Sequence, residues 1–381
     1  MDKLENKNIR NSKLVQLFVI AIFFNSVNLE YFSPIFNDTL MKSIYLFLVI
    51  SLALRFGFKY KSFLLFTSWL ILIYFLSNVN NFGNTIILKN GFYTLTTLIT
   101  GIISFSIAFD SKSEILILKS FTIIPALSSF LGVCLQVVGM YQVFVDGRFG
   151  GASNKNTLAL FALYGVISSV FLKEKFGYNT NKWILINFLL LSSTVSRVEI
   201  FTAVVFLLPD IKQLLKNFFK NGNIFIAIII SSPLIFLIGY FLISSVIQRT
   251  FIDGSINTSG RDVAWNSILS MNRDKIFGNG LGTLYRESDL THFKAAHNEY
   301  LRTFVETGWV GLILTIILLI TIFALVILKQ NVFKPRLLLM ILGYMIQSYY
   351  NNTMISFTWF FFLLFLGFNY KEKYVKFKRG V

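Results

Sequence analysis

The sequence predicts an all-α integral membrane protein with about twelve transmembrane helices and one long extracytoplasmic loop between the ninth and the tenth. Only 14% of the 381 residues are charged and 55% are hydrophobic, whereas a soluble domain carries about 25% charged residues. A helix needs roughly 20 apolar residues to cross the hydrocarbon core, and the chain contains about twelve such runs. We therefore expect residues 1–381 to form a single polytopic membrane domain.

Short connectors separate the expected spans, apart from the loop at residues 248–305. The first apolar run follows the charged start MDKLENKNIRNSK, which lacks a small-residue cleavage site, so we interpret this run as an uncleaved first helix. The spans are expected near residues 14–29, 39–55, 62–79, 92–109, 115–140, 155–173, 182–196, 197–211, 224–247, 306–328, 336–349 and 353–369.

The positions of the basic residues predict the topology. With both termini in the cytoplasm, 23 of the 35 Lys and Arg fall on the tails and cytoplasmic connectors. Five fall on short outer connectors and seven lie in the long loop between Arg249 and Arg302. Short loops follow the positive-inside rule and long loops do so weakly, so the long loop is expected outside. The net charge of +17 then reflects topology and contact with anionic membrane lipids, not nucleic-acid binding.

Residues 182–211 are too short for two straight spans, which would need about 40 positions. We nevertheless expect two spans here. A single span would place the long loop in the cytoplasm, against the positions of the basic residues. The turn SSTVSRVE should therefore lie below the outer surface, where an unpaired Arg197 costs at least about 2.5 kcal/mol. We expect Arg197 to face a polar cavity shared with Arg261. The alternative is an interfacial arginine that reaches out to water.

The polar run from Thr258 to Gly311 contains both histidines of the chain. A helix is expected at about 260–272, capped by Thr258 or Ser259. Its expected apolar contacts are Val263, Trp265, Ile268 and Leu269. The segment FGNGLG that follows is predicted to be a tight turn. It is not a phosphate loop, because no strand precedes it and no Lys-Ser/Thr follows.

His297 precedes a second helix of this run, NEYLRTFVETGWVG. The positive end of a helix dipole disfavours a charged imidazole. A neutral imidazole that faces water can accept a proton from an incoming hydroxyl, so His297 is a candidate base. The alternative is a capping or packing histidine, and His292 is expected to be structural.

Arg148, Arg197 and Arg261 are all expected on the outer side, against the usual bias for arginine. The planar guanidinium matches phosphate oxygens, which makes the three candidates for binding an anionic substrate group. The alternative is an arginine that reaches to water or an ion pair, such as Arg197 with Glu199.

Several sequence features argue for structure or exclude classes of site. Asn154 and Asn156 follow Arg148 and are expected to cap the next helix. The sequence has no metal-spaced cluster of His, Cys and carboxylates and no Walker motif. We therefore expect neither a metal nor another cofactor.

Four short motifs resemble the signature of the O-antigen ligase and polymerase superfamily of bacterial membrane glycosyltransferases. The central motif consists of His-Asn, nine further residues, a glycine, two more residues and a second glycine. The motifs are His297 to Gly311, Arg261 with Trp265, Ile276 to Gly282, and Ser196 with Arg197. The expected layout, with one long outer loop near the C-terminal end, is also similar to that family.

The resemblance implies glycan transfer from undecaprenyl diphosphate to an acceptor hydroxyl, on the outer leaflet of the bacterial inner membrane. No nucleotide sugar, metal or cofactor is implied. His297 would activate the acceptor hydroxyl, while Arg197 and Arg261 would hold the leaving diphosphate, with Arg148 as a third candidate. The implied partners are the lipid-linked donor, the glycan acceptor, membrane lipids, and a chain-length regulator and a flippase of the same pathway.

Polymerase and ligase activities both remain open, and we favour a polymerase of O-antigen or capsule repeat units because each such locus typically carries one. A glycolipid flippase or transporter would spread charged residues through its spans. Here the charge collects in the outer loop instead. A structural scaffold would give no reason for His297 and Arg261 to lie in that loop.

Overall fold

The computed structural model describes residues 2–27, 38–81, 84–145, 147–220, 251–252, 255–256, 261–270, 274–284, 297–328 and 334–370. This part of the chain is all-α apart from two hairpins of two-residue strands. The helices are α1 Asp2–Asn25, α2 Asp38–Phe56, α3 Tyr60–Ser77, α4 Thr85–Ser106, α5 Ser111–Val137, α6 Lys155–Phe176, α7 Asn181–Ser193, α8 Arg197–Lys220, α9 Arg261–Ser270, α10 Glu299–Leu328, α11 Lys334–Tyr350 and α12 Phe357–Asn369. The antiparallel strands are β1 Phe144–Val145 with β2 Arg148–Phe149, and β3 Phe251–Ile252 with β4 Ser255–Ile256.

A helix lies at every predicted span except 224–247, which is outside the described residues. Among the described helices, five are long and apolar enough to cross a membrane, namely α3, α4, α5, α6 and α10. These helices make the chain a multi-pass membrane protein, while the count of twelve spans stays a prediction.

The chain divides into two compact units, which we describe separately. The first unit comprises Met1–Ile117 and Arg261–Val381, and the second comprises Leu118–Gly260. In the first unit α4 packs against α12, with the buried Trp359 donating its indole N–H to the Leu98 carbonyl at 3.0 Å. Gly101 makes room for this ring, because a Cβ there would lie 2.3 Å from the indole nitrogen.

Lys59 is buried in the first unit, although it lies in the short connector between the second and third expected spans. Its amine donates to the Phe105 carbonyl at 3.2 Å and the Gly367 carbonyl at 2.7 Å, close to the C-terminal ends of α4 and α12. Helix C-termini leave carbonyls without intrahelical donors and carry partial negative charge. The amine also lies 5.3 Å from the ring centroid of Tyr370. A buried cation is therefore matched to two helix ends.

The second unit contains the short stretch for which two helices were predicted. The structure has two helices there, α7 and α8, joined by a turn at residues 194–196, and whether both cross the membrane stays a prediction. The 13 residues of α7 span about 20 Å, less than the roughly 30 Å of a hydrocarbon core. Asn187 of α7 packs on Gly165 of α6 and donates to the Thr122 carbonyl of α5 at 3.0 Å.

Candidate active site

Residues 274–284, which we call the glycine turn, are joined to α10 by backbone hydrogen bonds. The bonds run from Asn279 N–H to Val305 O, Gly280 N–H to Glu306 O, Trp309 N–H to Lys275 O and Val310 N–H to Ile276 O, at 2.9 to 3.1 Å. The α10 carbonyls and amides are free for this because Gly308, at φ 65° and ψ −170°, interrupts the helix. A turn was predicted here, and the structure confirms it.

The glycines of this region permit a close approach of two backbones. A Cβ on Gly308 would lie 2.2 Å from the Ile276 carbonyl oxygen, and one on Gly278 would lie 2.5 Å from the Glu306 carbonyl oxygen. Both glycines have positive φ, which disfavours any residue with a side chain. The glycine pattern shared by the turn and α10 thus has a packing explanation.

A buried network of three charged side chains lies in the first turns of α10. Arg302 donates from Nε to Glu299 at 3.0 Å and from its terminal nitrogens to both Glu299 and Glu306. The other carboxylate oxygens accept from backbone: Glu299 from the Met354 N–H at 2.9 Å, and Glu306 from the Leu284 N–H at 3.3 Å. The network therefore ties α10 to the glycine turn and to the α11–α12 connector.

Sequence analysis missed this network, although its signal was present. Glu299, Arg302 and Glu306 have the three- and four-residue spacing that places side chains on one helix face. Charges at the start of an apolar span need partners, because a buried unpaired charge is costly.

His297 lies immediately before α10 in a left-handed backbone conformation, with φ 47°. The helix cap is the next residue, Asn298, whose side-chain oxygen accepts the Leu301 N–H at 3.0 Å. The Asn298 N–H donates to the side chain of Asn352 at 3.2 Å. The alternative interpretation of His297 as the capping residue is therefore wrong, and its exposed imidazole is available for other contacts.

The pKa of His297 is lowered from its ordinary value, first by partial burial and second by the positive charge of Arg261. The helix dipole led us to expect the same direction from a different cause. The electrostatic interaction means that Arg261 and His297, two of the predicted site residues, lie near each other. A neutral imidazole beside a guanidinium can accept a proton while the cation holds an anion.

Arg261 begins α9, and its guanidinium lies 5.9 Å from the ring centroid of Tyr350. Of the expected apolar contacts of α9, Ile268 is buried against Leu284 and Val305. The Trp265 ring lies 5.7 Å from the ring of Tyr349 at the end of α11. The expectation was wrong for Val263 and Leu269, which are exposed, because the helix packs through one narrow face. The expected caps at residues 258 and 259, and His292, lie outside the described residues.

Arg148 is buried in the second unit at the start of β2. Its Nε–H donates to the Thr194 carbonyl at 2.6 Å, and a terminal nitrogen donates to Asn156 Oδ1 at 3.2 Å. Asn154 caps α6 by accepting the Asn156 and Thr157 N–H groups, as predicted. Asn156 was expected to cap as well, but its side chain binds Arg148 instead.

Arg197 is the first residue of α8 and follows a strained turn. Val195 has φ 51°, which is uncommon for a β-branched residue, and such strain costs about 1–3 kcal/mol. The Ser196 hydroxyl donates to the buried Glu199 carboxylate. The Arg148–Thr194 bond is made to the residue just before Val195. Strain held in place by such contacts is typical of functional sites.

No group of three or more His, Cys, Asp or Glu among the described residues is arranged to hold a metal ion. A search of the curated proteins found no match to the chain. A family model described as O-antigen ligase matches residues 150–316. The matched segment contains Arg197, Arg261 and His297. It also contains Gly308 and Gly311, the two glycines of the motif that begins at His297. Over these residues the chain is similar to that family, in agreement with the resemblance of its motifs to the O-antigen ligase and polymerase superfamily.

Proposed function

We propose that this protein polymerises undecaprenyl-diphosphate-linked oligosaccharide repeat units into O-antigen or capsular polysaccharide. The reaction takes place on the outer leaflet of the bacterial inner membrane, with both termini and the basic connectors in the cytoplasm. The observation that carries the proposal is His297 at the start of α10, with its pKa lowered by burial and by the neighbouring Arg261.

In the proposed reaction the imidazole of His297 accepts the proton of an acceptor hydroxyl. The hydroxyl oxygen attacks the anomeric carbon of the donor sugar, forming the new glycosidic bond. The bond between that carbon and the diphosphate oxygen breaks, and undecaprenyl diphosphate leaves with the electron pair. The lowered pKa of His297 favours the unprotonated imidazole, which is the form that accepts a proton.

The leaving diphosphate gains negative charge, and cations aimed at developing charge stabilise a transition state. We assign this role to Arg261 in the first unit and to Arg197 in the second, with Arg148 in a supporting role. Arg148 already donates to Thr194 and Asn156, so we propose that it acts beside Arg197 by holding the turn from which α8 begins. The cavity shared by Arg197 and Arg261 stays a prediction.

A ligase is the second candidate, because the matching family model is described as O-antigen ligase. A ligase would transfer the finished glycan to lipid A-core or another acceptor. Deleting the gene and analysing the surface glycan separates the two. Loss of a polymerase leaves single repeat units on the acceptor, whereas loss of a ligase leaves long lipid-linked chains and a bare acceptor. Unchanged glycan would refute both. The pathway's flippase and chain-length regulator should remain functional in that strain.

The proposed base has a matched control in the same loop, since the chain has two histidines. His297→Ala should abolish transfer while the protein still inserts and binds the lipid-linked donor. His292→Ala should retain most of the activity. Near-normal turnover by the His297 variant would remove the base from the proposal. A map of tag accessibility should find residues 250–300 outside, and a cytoplasmic location would exclude outer-leaflet transfer.

A further inference from the structure

Three aromatic side chains from α9 and α11 form a cluster beside Arg261. The rings of Trp265 and Tyr349 are 5.7 Å apart at 78°, and those of Tyr349 and Tyr350 are 5.0 Å apart at 82°. These are edge-to-face contacts, a stable arrangement of aromatic pairs. We call Trp265, Tyr349 and Tyr350 the aromatic cluster.

The aromatic cluster is open to a ligand even though its rings contact one another. Tyr349 remains 47% exposed and Tyr350 remains 39% exposed. The Arg261 guanidinium lies 5.9 Å from the Tyr350 ring centroid. An anion held by Arg261 would therefore have exposed aromatic surface directly beside it.

The connector after the aromatic cluster also holds the start of α10. Asn352 lies two residues beyond Tyr350 and accepts the N–H of Asn298, the neighbour of His297 in the chain. One segment of the first unit thus links the aromatic rings, the proposed diphosphate-binding arginine and the proposed base.

We propose that the aromatic cluster binds the pyranose ring attached to the donor diphosphate. One face of a pyranose ring carries C–H bonds with partial positive charge, and these pack on the negative face of an aromatic ring. The hydroxyls at the edge of the sugar stay available for water or polar side chains. This assignment rests on the proposed function, because Arg261 is taken to hold the diphosphate next to that sugar.

Tyrosine and tryptophan are also enriched where spans meet the membrane surface. A belt of this kind would anchor the protein without binding sugar. Tyr93 of α4 provides a matched control, since it is 50% exposed and belongs to the same unit. It lies two residues from Gly91, which packs against Leu281 of the glycine turn. Tyr93 does not belong to the aromatic cluster, so replacing it tests anchoring at the membrane surface alone.

The test measures binding by the full chain in nanodiscs. The probes are the undecaprenyl-diphosphate-linked repeat unit purified from the source bacterium, undecaprenyl diphosphate without sugar, and the lipid-free oligosaccharide. Tyr349→Leu should weaken binding of the sugar-bearing lipid about tenfold, which corresponds to about 1.4 kcal/mol. Binding of the bare lipid diphosphate should be unchanged. Tyr349→Phe, which keeps the ring, should bind normally, and Tyr93→Leu should bind both lipids as the unchanged protein does.

Three results would overturn the assignment. Equal weakening of both lipids would mean that Tyr349 only supports the fold, and no weakening would make it an anchoring tyrosine like Tyr93. A loss confined to the lipid-free oligosaccharide would place an acceptor sugar on the cluster instead. Binding requires no turnover. An unchanged protein that binds the sugar-bearing lipid but transfers no glycan would therefore refute the proposed function and leave the sugar site intact.

Discussion

Replacing Gly308 by alanine tests whether the close approach of the glycine turn to α10 stabilises this part of the fold. The new Cβ would lie 2.2 Å from the Ile276 carbonyl oxygen, whereas ordinary contacts begin at 3.4 Å. The two backbones would have to separate by about 1.2 Å. The neighbouring atom belongs to the backbone, so no side chain can rotate away to relieve the overlap.

The expected cost has two parts. At φ 65° and ψ −170°, Gly308 has a backbone conformation that is open essentially only to glycine, and an alanine there costs about 1–3 kcal/mol. The separation also breaks the bonds from Trp309 and Val310 to the glycine turn, each with a net contribution of about 1 kcal/mol. We therefore expect Gly308→Ala to lower the free energy of unfolding by about 3–5 kcal/mol. Gly139→Ala is the control, since Gly139 has φ 73° but nothing within 4 Å of a Cβ. It should cost only the roughly 1–2 kcal/mol of backbone strain.

The assay is thermal unfolding of the purified variants in nanodiscs, followed by tryptophan fluorescence, with glycan transfer measured on the same samples. Gly308→Ala should unfold at a clearly lower temperature than Gly139→Ala. Its transfer rate should also fall, because the glycine turn connects α9, which carries Arg261, to α10. A displacement of about 1 Å can cost about a hundredfold in rate. Equal unfolding temperatures for the two variants would refute the packing argument.

Three further predictions concern the charged residues. Arg302→Met should lower the free energy of unfolding by about 3–5 kcal/mol, since two carboxylates would stay buried without their cation; stability equal to the unchanged protein in thermal unfolding would contradict this. Burial and, second, the charge of Arg261 lower the pKa of His297. Arg261→Gln removes the second cause, so this pKa should rise and the acid limb of the transfer rate should move to higher pH. Arg261→Lys keeps the charge and should leave the limb in place, and an unmoved limb in the Gln variant would exclude His297 as the titrating base. Arg148→Lys loses the planar donor to Thr194 and should lower transfer by about ten- to a hundredfold through misplacement of the turn. The lost buried hydrogen bonds should also lower the free energy of unfolding by about 1–3 kcal/mol. Full activity would show that charge alone suffices.

Hydropathy was enough to locate the helices, because an apolar run long enough to cross a bilayer leaves the backbone few alternatives to a helix. It also separated α7 from α8, where the charge pattern required two helices in a short stretch. The start of α10 was predicted from polar residues followed by an apolar run. The residue that caps α10 was harder to predict, because several neighbouring polar residues could fill that position. The structure uses Asn298 rather than His297.

The site was harder to predict because its contacts join distant parts of the chain. The Glu299–Arg302 pair is local, but its backbone partner Met354 is supplied by another helix connector. Burial of Arg148 depends on a carbonyl at Thr194, and no local pattern indicates this bond. Val195 has a positive φ, which is uncommon for a β-branched residue. The backbone preference of valine therefore predicts a negative φ at this position. The aromatic cluster likewise exists only after α9 meets the end of α11.

The buried amine of Lys59 has a consequence for how the chain is assembled. Its acceptor in α4, the Phe105 carbonyl, is made soon after it, but the Gly367 carbonyl follows 308 residues later. At about 5–20 residues per second, ribosomes need about 15–60 s to reach that residue. During this interval the ammonium group has no α12 to cover it, and its contact with Tyr370 is also absent. Completion of α12 therefore buries a charge that stays uncovered on any chain that ends before Gly367.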